Sequence, residues 1–150
     1  MKTKIPPPIV AVLFALLMWA LDRLVPVSQL TLPGAGIISL LLVGLGLVVM
    51  IMALGRFRKV GTTVNPLDPS LASSLVSSGI FRRSRNPMYL GMLIFLTAWA
   101  LWLGNAVNLI TLYLFVSFMT RFQIKPEEEA LTKLFGEEYE AYCEKVNRWI

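Results

Sequence analysis

Long stretches without a charged residue constrain this chain more than any other feature of its sequence. No Asp, Glu, Lys or Arg occurs from Ile5 to Leu21, from Leu24 to Gly55, or from Asn86 to Thr120. A helix needs roughly 20 apolar residues to cross the hydrocarbon core of a bilayer, which is about 30 Å thick. Charged residues make up 15% of the 150 residues, whereas soluble domains contain about 25%. We therefore expect an all-α integral membrane protein.

The same pattern divides the chain into about four transmembrane helices within a single domain, residues 1–150. Pro6-Pro7-Pro8 suits the start of the first span, Gly104-Asn105 separates the last two spans, and Arg121 ends the fourth. Apolar residues at helical spacing after Pro126 predict a cytosolic amphipathic helix at the C-terminal end. The predicted spans are about 6–24, 34–55, 87–104 and 106–121, the structured cytosolic loop is 56–86, and the C-terminal helix is 126–147.

The distribution of basic residues predicts how these spans are oriented. If both termini are cytosolic, 13 of the 14 Lys and Arg residues lie on the cytosolic side and Arg23 alone lies outside. Short cytosolic segments of membrane proteins carry an excess of Lys and Arg. A model with three or five spans would place Arg56 and Arg121 on opposite sides and lose this bias. The sequence therefore predicts a multi-pass protein whose termini and active site face the cytosol.

The residue types that are missing or rare exclude several kinds of chemistry. The chain has no histidine and one cysteine, Cys143. The usual general base, the usual metal ligand and every Ser–His or Cys–His relay are therefore unavailable, and we expect no metal site. The net charge is +5, but no base-reading motif accompanies it. We expect contact with membrane lipid and no nucleic-acid partner.

Two segments remain after the spans are explained. Asn86 and Pro87 form an N-cap and first-turn pair that opens the third span. Glu127-Glu128-Glu129 follows Pro126 in the first turn of the C-terminal helix, where carboxylates complement the helix dipole. Each segment alone is also explained by an ordinary helix start, but both lie at the cytosolic membrane surface and can form one site. Gly44-Leu45-Gly46 is best explained as a helix contact.

Five short elements occur in order along the second half of the chain. They are Gly79-x-Phe81, Arg85-Asn86-Pro87-Met88-Tyr89-Leu90-Gly91, Glu127-Glu128, Phe135-Gly136-Glu137-Glu138-Tyr139-x-x-Tyr142 and Val146-x-Arg148-Trp149-Ile150. In order and spacing, residues 61–150, about 60% of the chain, resemble the isoprenylcysteine carboxyl methyltransferase and phospholipid methyltransferase superfamily, in particular its small prokaryotic-type members. The prenylcysteine enzymes have His at the position of Asn86 and Tyr at the position of Phe81.

The resemblance implies S-adenosylmethionine as the cofactor and methyl donor, bound at the cytosolic end of the helices. The resemblance assigns the acidic pair Glu127 and Glu128 to the cofactor, and Glu127 is the preferred contact of the two. An arginine that approaches the acceptor carboxylate in the prenylcysteine enzymes falls at Gln123, and Arg121 is the nearest arginine, so both are candidate catalytic residues. The implied cofactor-binding residues are Leu75, Val76, Phe81, Asn86, Pro87, Met88, Tyr89, Glu127 and Glu128.

These residues suit methyl transfer to a lipophilic acceptor, which is the expected function. Displacement at a sulfonium releases a neutral leaving group, so no general acid is required, and a carboxylate or thiolate acceptor needs no strong base. Positioning and electrostatics are then the main tasks of the protein. Two alternatives stay open, an inactive membrane scaffold of the same fold and a phospholipid amine N-methyltransferase. A transporter is disfavoured, because the second, third and fourth spans contain no ionisable residue at mid-membrane.

Overall fold

In a computed structural model, residues 5–25, 32–61 and 73–150 are described, and over these ranges the chain is helical with no strand. This confirms the all-α prediction. The cytosolic loop predicted at 56–86 lies partly outside the described residues, which do not include 62–72. The helices are α1 Pro7–Leu24, α2 Ala35–Val60, α3 Pro87–Leu103, α4 Asn108–Met119, α5 Lys125–Phe135 and α6 Glu137–Lys145, with a 3₁₀ turn at Gly79–Arg82 and a π turn at Thr120–Ile124.

Two of the helices, α1 and α2, are long and apolar enough to cross a membrane. The outer face of α2 is strongly exposed, with exposed fractions of 69% for Ile37, 72% for Leu40 and 68% for Leu41. Large apolar side chains exposed in one continuous face indicate a lipid environment or a partner surface. The apolar helix α3 is shorter, at 17 residues. The structure thus supports two membrane-crossing helices, and four spans remain a prediction.

Helix α3 lies at the centre of the bundle, since it contacts α1, α2 and α4. Among the long helices, α2 packs chiefly against α3. The main core forms between α1, α3 and α4. It includes the fully buried side chains of Met18, Phe115 and Met119, and Tyr89 at the start of α3 belongs to the same cluster. This packing fixes the first turn of α3, which carries several of the predicted site residues.

Helices α2 and α3 approach each other at glycines. A Cβ added to Gly46 would lie 2.7 Å from the ring of Phe95, and one added to Gly91 would lie 2.6 Å from Cγ of Met50 and 3.4 Å from the carbonyl oxygen of Gly46. Small residues at such positions let helix backbones approach closely. The structure therefore places Gly46 in a helix contact, as the sequence indicates.

Replacing Gly46 by leucine should separate α2 from α3. We expect Gly46→Leu to lower the free energy of unfolding by about 1–3 kcal/mol, because a larger side chain in a filled contact forces its neighbours apart. Gly44→Leu is the matched control, since nothing lies within 4 Å of a Cβ at Gly44. Thermal unfolding of both variants in the same detergent measures the difference. Equal melting temperatures would contradict the assignment of Gly46 to this contact.

The helix that carries the fourth predicted span does not stop at Arg121, while the point at which this span leaves the membrane stays a prediction. Thr120 and Lys125 both keep right-handed helical backbone angles, so α4 continues through the π turn into α5. A proline inside a helix has no N–H to donate to the carbonyl oxygen four residues earlier, and its ring clashes with that carbonyl group. The wider π turn before Pro126 accommodates the missing hydrogen bond and the ring. The predicted break at Gly104-Asn105 is confirmed, because Gly104 adopts φ 68° and ends α3.

The C-terminal helix predicted at 126–147 is wrong as a single element. Gly136 adopts φ 52° and ψ −127°, so α5 ends at Phe135 and α6 begins at Glu137. L-residues rarely adopt this backbone conformation, and glycine does so at no steric cost. After α6 the backbone turns extended at Val146. We call residues Val146–Ile150 the C-terminal strap.

Candidate functional site

The apolar members of the predicted cofactor set pack against the end of α2. Val76 and Phe81 are buried in one cluster with Ala53 of α2, and Met88 packs against it. The rings of Phe57 and Phe81 meet edge to face with centroids 5.3 Å apart. Leu75 is half-buried immediately before Val76. The segment before α3 is therefore held on α2 by aromatic and apolar contacts.

Asn86 occupies the N-cap position of α3, but its side chain does not cap the helix. Its backbone N–H instead donates to Oγ of the buried Ser84 at 3.1 Å, and its side-chain Nδ2 donates to the carbonyl oxygen of Arg148 at 3.0 Å. The predicted N-cap position of Asn86 is thus confirmed, although its side-chain amide binds the C-terminal strap and not the first turn of α3. Pro87 is buried at the first position of α3, as predicted.

The centre of the candidate site is a pair formed by Tyr89 of α3 and Glu127 of α5. The Tyr89 hydroxyl donates to Oε1 of Glu127 at 2.5 Å. Burial raises the pKa of Glu127 to about 7, the charge of Glu128 adds to this rise, and the hydrogen bond from Tyr89 opposes it. At neutral pH this carboxyl group is therefore close to equally protonated and ionised, so its charge is sensitive to any cation that binds beside it.

Glu128, the other predicted carboxylate, is neutralised by two arginines. Arg148 donates to both of its oxygens, from Nε at 2.9 Å and from Nη2 at 2.7 Å, and Nη2 of Arg85 lies 3.0 Å from Oε1. This bidentate pair raises the pKa of Arg148. Both oxygens of Glu128 are thus engaged, whereas Glu127 makes a single side-chain hydrogen bond, from Tyr89, within the described residues. Of the acidic pair, Glu127 has the greater capacity for a ligand.

Neither of the two candidate catalytic residues makes a hydrogen bond or ion pair with the Tyr89–Glu127 pair within the described residues. Gln123 is buried and donates from Nε2 to the carbonyl oxygen of Ile5 at 2.6 Å, while its Oε1 has no hydrogen-bond partner in the described part of the chain. Arg121 is exposed and its guanidinium lies 5.6 Å from the centroid of the Phe122 ring. Gln123 therefore ties the π turn to the start of α1, and Arg121 is the more accessible of the two.

Sequence reasoning missed several side chains that shape the site. The hydroxyl of Tyr142 donates to the carbonyl oxygen of Phe81 at 2.6 Å, and Trp149 Nε1 donates to Oγ1 of Thr120 at 3.1 Å. Arg85 and Arg148 both reach Glu128. The partners are 20 to 61 residues apart in these contacts, so no local periodicity signals them.

Comparison with known proteins gives the class of this chain. The model of the family described as "Phospholipid methyltransferase" matches residues 35–138, which include the 3₁₀ turn, the start of α3 and the Tyr89–Glu127 pair. The chain belongs to the phospholipid methyltransferase family, within the superfamily that its sequence elements resemble. This family indicates a membrane methyltransferase.

One relative is an uncharacterized protein of Haemophilus influenzae, which is 44% identical over 63 residues. That match covers 42% of this chain and the whole of the relative. No solved structure matches the chain.

Proposed function

We propose that this chain is an S-adenosylmethionine-dependent methyltransferase that acts in the membrane on a lipophilic acceptor, such as an isoprenylcysteine-like carboxylate or a related lipid. One observation carries the proposal. Tyr89 and Glu127, which lie 38 residues apart within the segment matched by the family, meet at 2.5 Å, with Tyr89 buried and Glu127 half-buried. A carboxylate held in this way is suited to a cationic ligand, because a cation stabilises its ionised form.

The chemistry of the surrounding residues fits the proposed donor. Glu127 offers a carboxylate for the ammonium group or ribose hydroxyls of the donor, and Asn86 lies three residues before Tyr89 at the start of α3. Met88, which is half-buried beside the apolar cluster of Val76 and Phe81, is available to contact the less polar parts of the donor. When bound, the donor supplies a methyl group on a sulfonium, and departure of that methyl group leaves a neutral thioether.

The residues of the chain then have two tasks in the transfer. The ionised Glu127 offsets positive charge near the donor, and the exposed cation Arg121 is the candidate group for holding an anionic acceptor. Transfer from a bound donor to the acceptor would need no residue of the chain to bring a proton to the leaving group. A chain without histidine can thus catalyse this transfer by orienting the donor and the acceptor and by placing charges beside them.

We also propose that the chain crosses the membrane four times, with α3 and the helix containing α4 as the additional spans. Both termini and the Glu127 site then face the cytosol. The support is the 13-to-1 distribution of basic residues. A reporter fused after Ile150 and active only in the cytosol tests the orientation. Activity of a reporter that works only outside the cytosol would contradict it.

A phospholipid amine is the second candidate acceptor, and the description of the family favours it. A protonated amine must lose a proton before its nitrogen can accept a methyl group. With a pKa of about 7, Glu127 is a group in the site that can accept this proton near neutral pH. In this reading Glu127 acts on the acceptor as well as on the donor.

Transfer of a labelled methyl group distinguishes the candidates. The purified protein in neutral lipid nanodiscs is incubated with labelled S-adenosylmethionine and, in separate arms, with a prenylcysteine analogue or with phosphatidylethanolamine. We expect label in one lipid product and none with Glu127→Gln. Label in neither arm, while the donor binds, would overturn both named acceptors. The inactive scaffold reading predicts that the donor does not bind at all.

A further inference from the structure

Helix α5 is held in place by polar contacts rather than by a core. None of its residues from Lys125 to Phe135 is buried, and its neighbours are chiefly the π turn before it and α6 after it. Two side-chain contacts connect it to the segment that begins α3, namely Tyr89 with Glu127 and Arg85 with Glu128. The position of Glu127 relative to α3 therefore depends on a small number of hydrogen bonds and ion pairs.

The C-terminal strap supplies a second connection between the same two elements. On the α3 side, the backbone N–H of Arg85 donates to the carbonyl oxygen of Asn147 at 3.1 Å, and Asn86 donates to that of Arg148. On the α5 side, the Arg148 guanidinium binds Glu128. Arg148 thus contacts both elements that carry the Tyr89–Glu127 pair, through its backbone on one side and its side chain on the other.

The ion pair also sets the electrostatic environment of Glu127. The groups that face Glu127 are Tyr89 from α3 and Glu128 from α5, and Glu128 in turn is paired with Arg85 and Arg148. With both arginines present, the negative charge of Glu128 is compensated. Without Arg148, more of that charge would act on Glu127, disfavour its ionised form and weaken its interaction with a cation.

We propose that Arg148 is a positioning residue for the methyl donor, holding Glu127 against α3 through the C-terminal strap and the bidentate pair with Glu128. This inference rests on the proposed function, because it takes Glu127 as the donor contact. Arg148 acts on the donor only through Glu128 and Asn86. A lysine at this position keeps the charge but cannot make two parallel hydrogen bonds in one plane.

Binding of S-adenosylhomocysteine to the full-length protein in nanodiscs tests the proposal. We expect Arg148→Gln to raise the dissociation constant about tenfold, since a hydrogen bond to a charged group is lost. Arg148→Lys should fall between this variant and the wild type. Lys145→Gln is the matched control, because it removes the same charge from an exposed position three residues earlier. Its dissociation constant should stay within about twofold of the wild type.

Two further readouts separate positioning from a purely structural role. The pH at which affinity is half-maximal should move upward in Arg148→Gln and remain unchanged in Lys145→Gln. A structural role alone would lower the melting temperature of Arg148→Gln and leave the dissociation constant and the pH midpoint of the folded protein as in the wild type. That result would overturn the proposal.

If the wild type itself binds no S-adenosylhomocysteine, the proposed function fails and this inference fails with it. If the wild type and Arg148→Gln bind S-adenosylhomocysteine with equal affinity, the role of Arg148 is overturned and the proposed function is unaffected.

Discussion

Glu127→Gln should weaken binding of S-adenosylmethionine by roughly one to two orders of magnitude, the loss expected when a charged hydrogen-bonding partner becomes neutral. Glutamine retains an oxygen that can accept from Tyr89, so the fold around the site is preserved. The variant removes the charge that a cationic donor requires. Calorimetric titration in nanodiscs measures the change directly.

The same titration has an expected pH dependence. The pKa of Glu127 is about 7 in the folded protein, and a cationic donor binds its ionised form. Below pH 7 the carboxyl group must first lose its proton, so the affinity should rise between about pH 6 and pH 8 and then level off. Glu127→Gln should show no such rise. Glu129→Gln is the matched control, since Glu129 is the exposed acidic neighbour on the same helix and should behave as the wild type. A Glu127→Gln variant with wild-type affinity would contradict the assignment of Glu127 to the donor.

The free energy of unfolding should fall as the pH rises, whereas the affinity for the donor should rise. The pKa of Glu127 is raised from 4.5 to about 7 on folding, so the folded protein holds this proton more tightly than the unfolded chain does. The contribution of Glu127 to stability is therefore fully present below about pH 4.5 and is lost as the pH rises to about 7. A shift of this size corresponds to an upper limit of about 3 kcal/mol.

Thermal unfolding of the wild type and of Glu127→Gln at pH 5 and pH 8 checks this expectation. The wild type should lose stability relative to the variant on going to pH 8, because only the wild type has to ionise a carboxyl group that is partly shielded from water. Glu129→Gln again provides the control, as it removes a carboxyl group from an exposed position. If the difference between wild type and Glu127→Gln is the same at both pH values, Glu127 is not held in its neutral form by the fold.

The sequence was sufficient for the helical class and for most helix boundaries. Charge-free stretches predicted the apolar helices, and Gly104 marked the end of α3 as expected. It was not sufficient where one helix passes into another. Arg121 resembles a helix end because charge normally stops a span, yet a π turn lets the helix continue past it into α5. Gly136 breaks the C-terminal helix by its backbone conformation, which composition and periodicity do not reveal.

The candidate site was only partly predictable for a different reason. The resemblance assigned Tyr89 and Glu127 to one site, but their hydrogen bond depends on packing between elements 38 residues apart. The resemblance also assigned Glu128 to the cofactor, whereas its oxygens are engaged by Arg85 and Arg148. Which carboxylate of an adjacent pair stays available for a ligand is decided by distant arginines, and a linear sequence does not show which carboxylate they reach.

Calorimetric titration of the wild-type protein with S-adenosylmethionine at pH 8 tests most directly whether the Tyr89–Glu127 site binds a methyl donor. The protein is held in neutral lipid nanodiscs, and its thermal unfolding is recorded in parallel to show that it is folded. We predict saturable binding at one site per chain that S-adenosylhomocysteine competes away. A flat titration of folded protein would contradict the account.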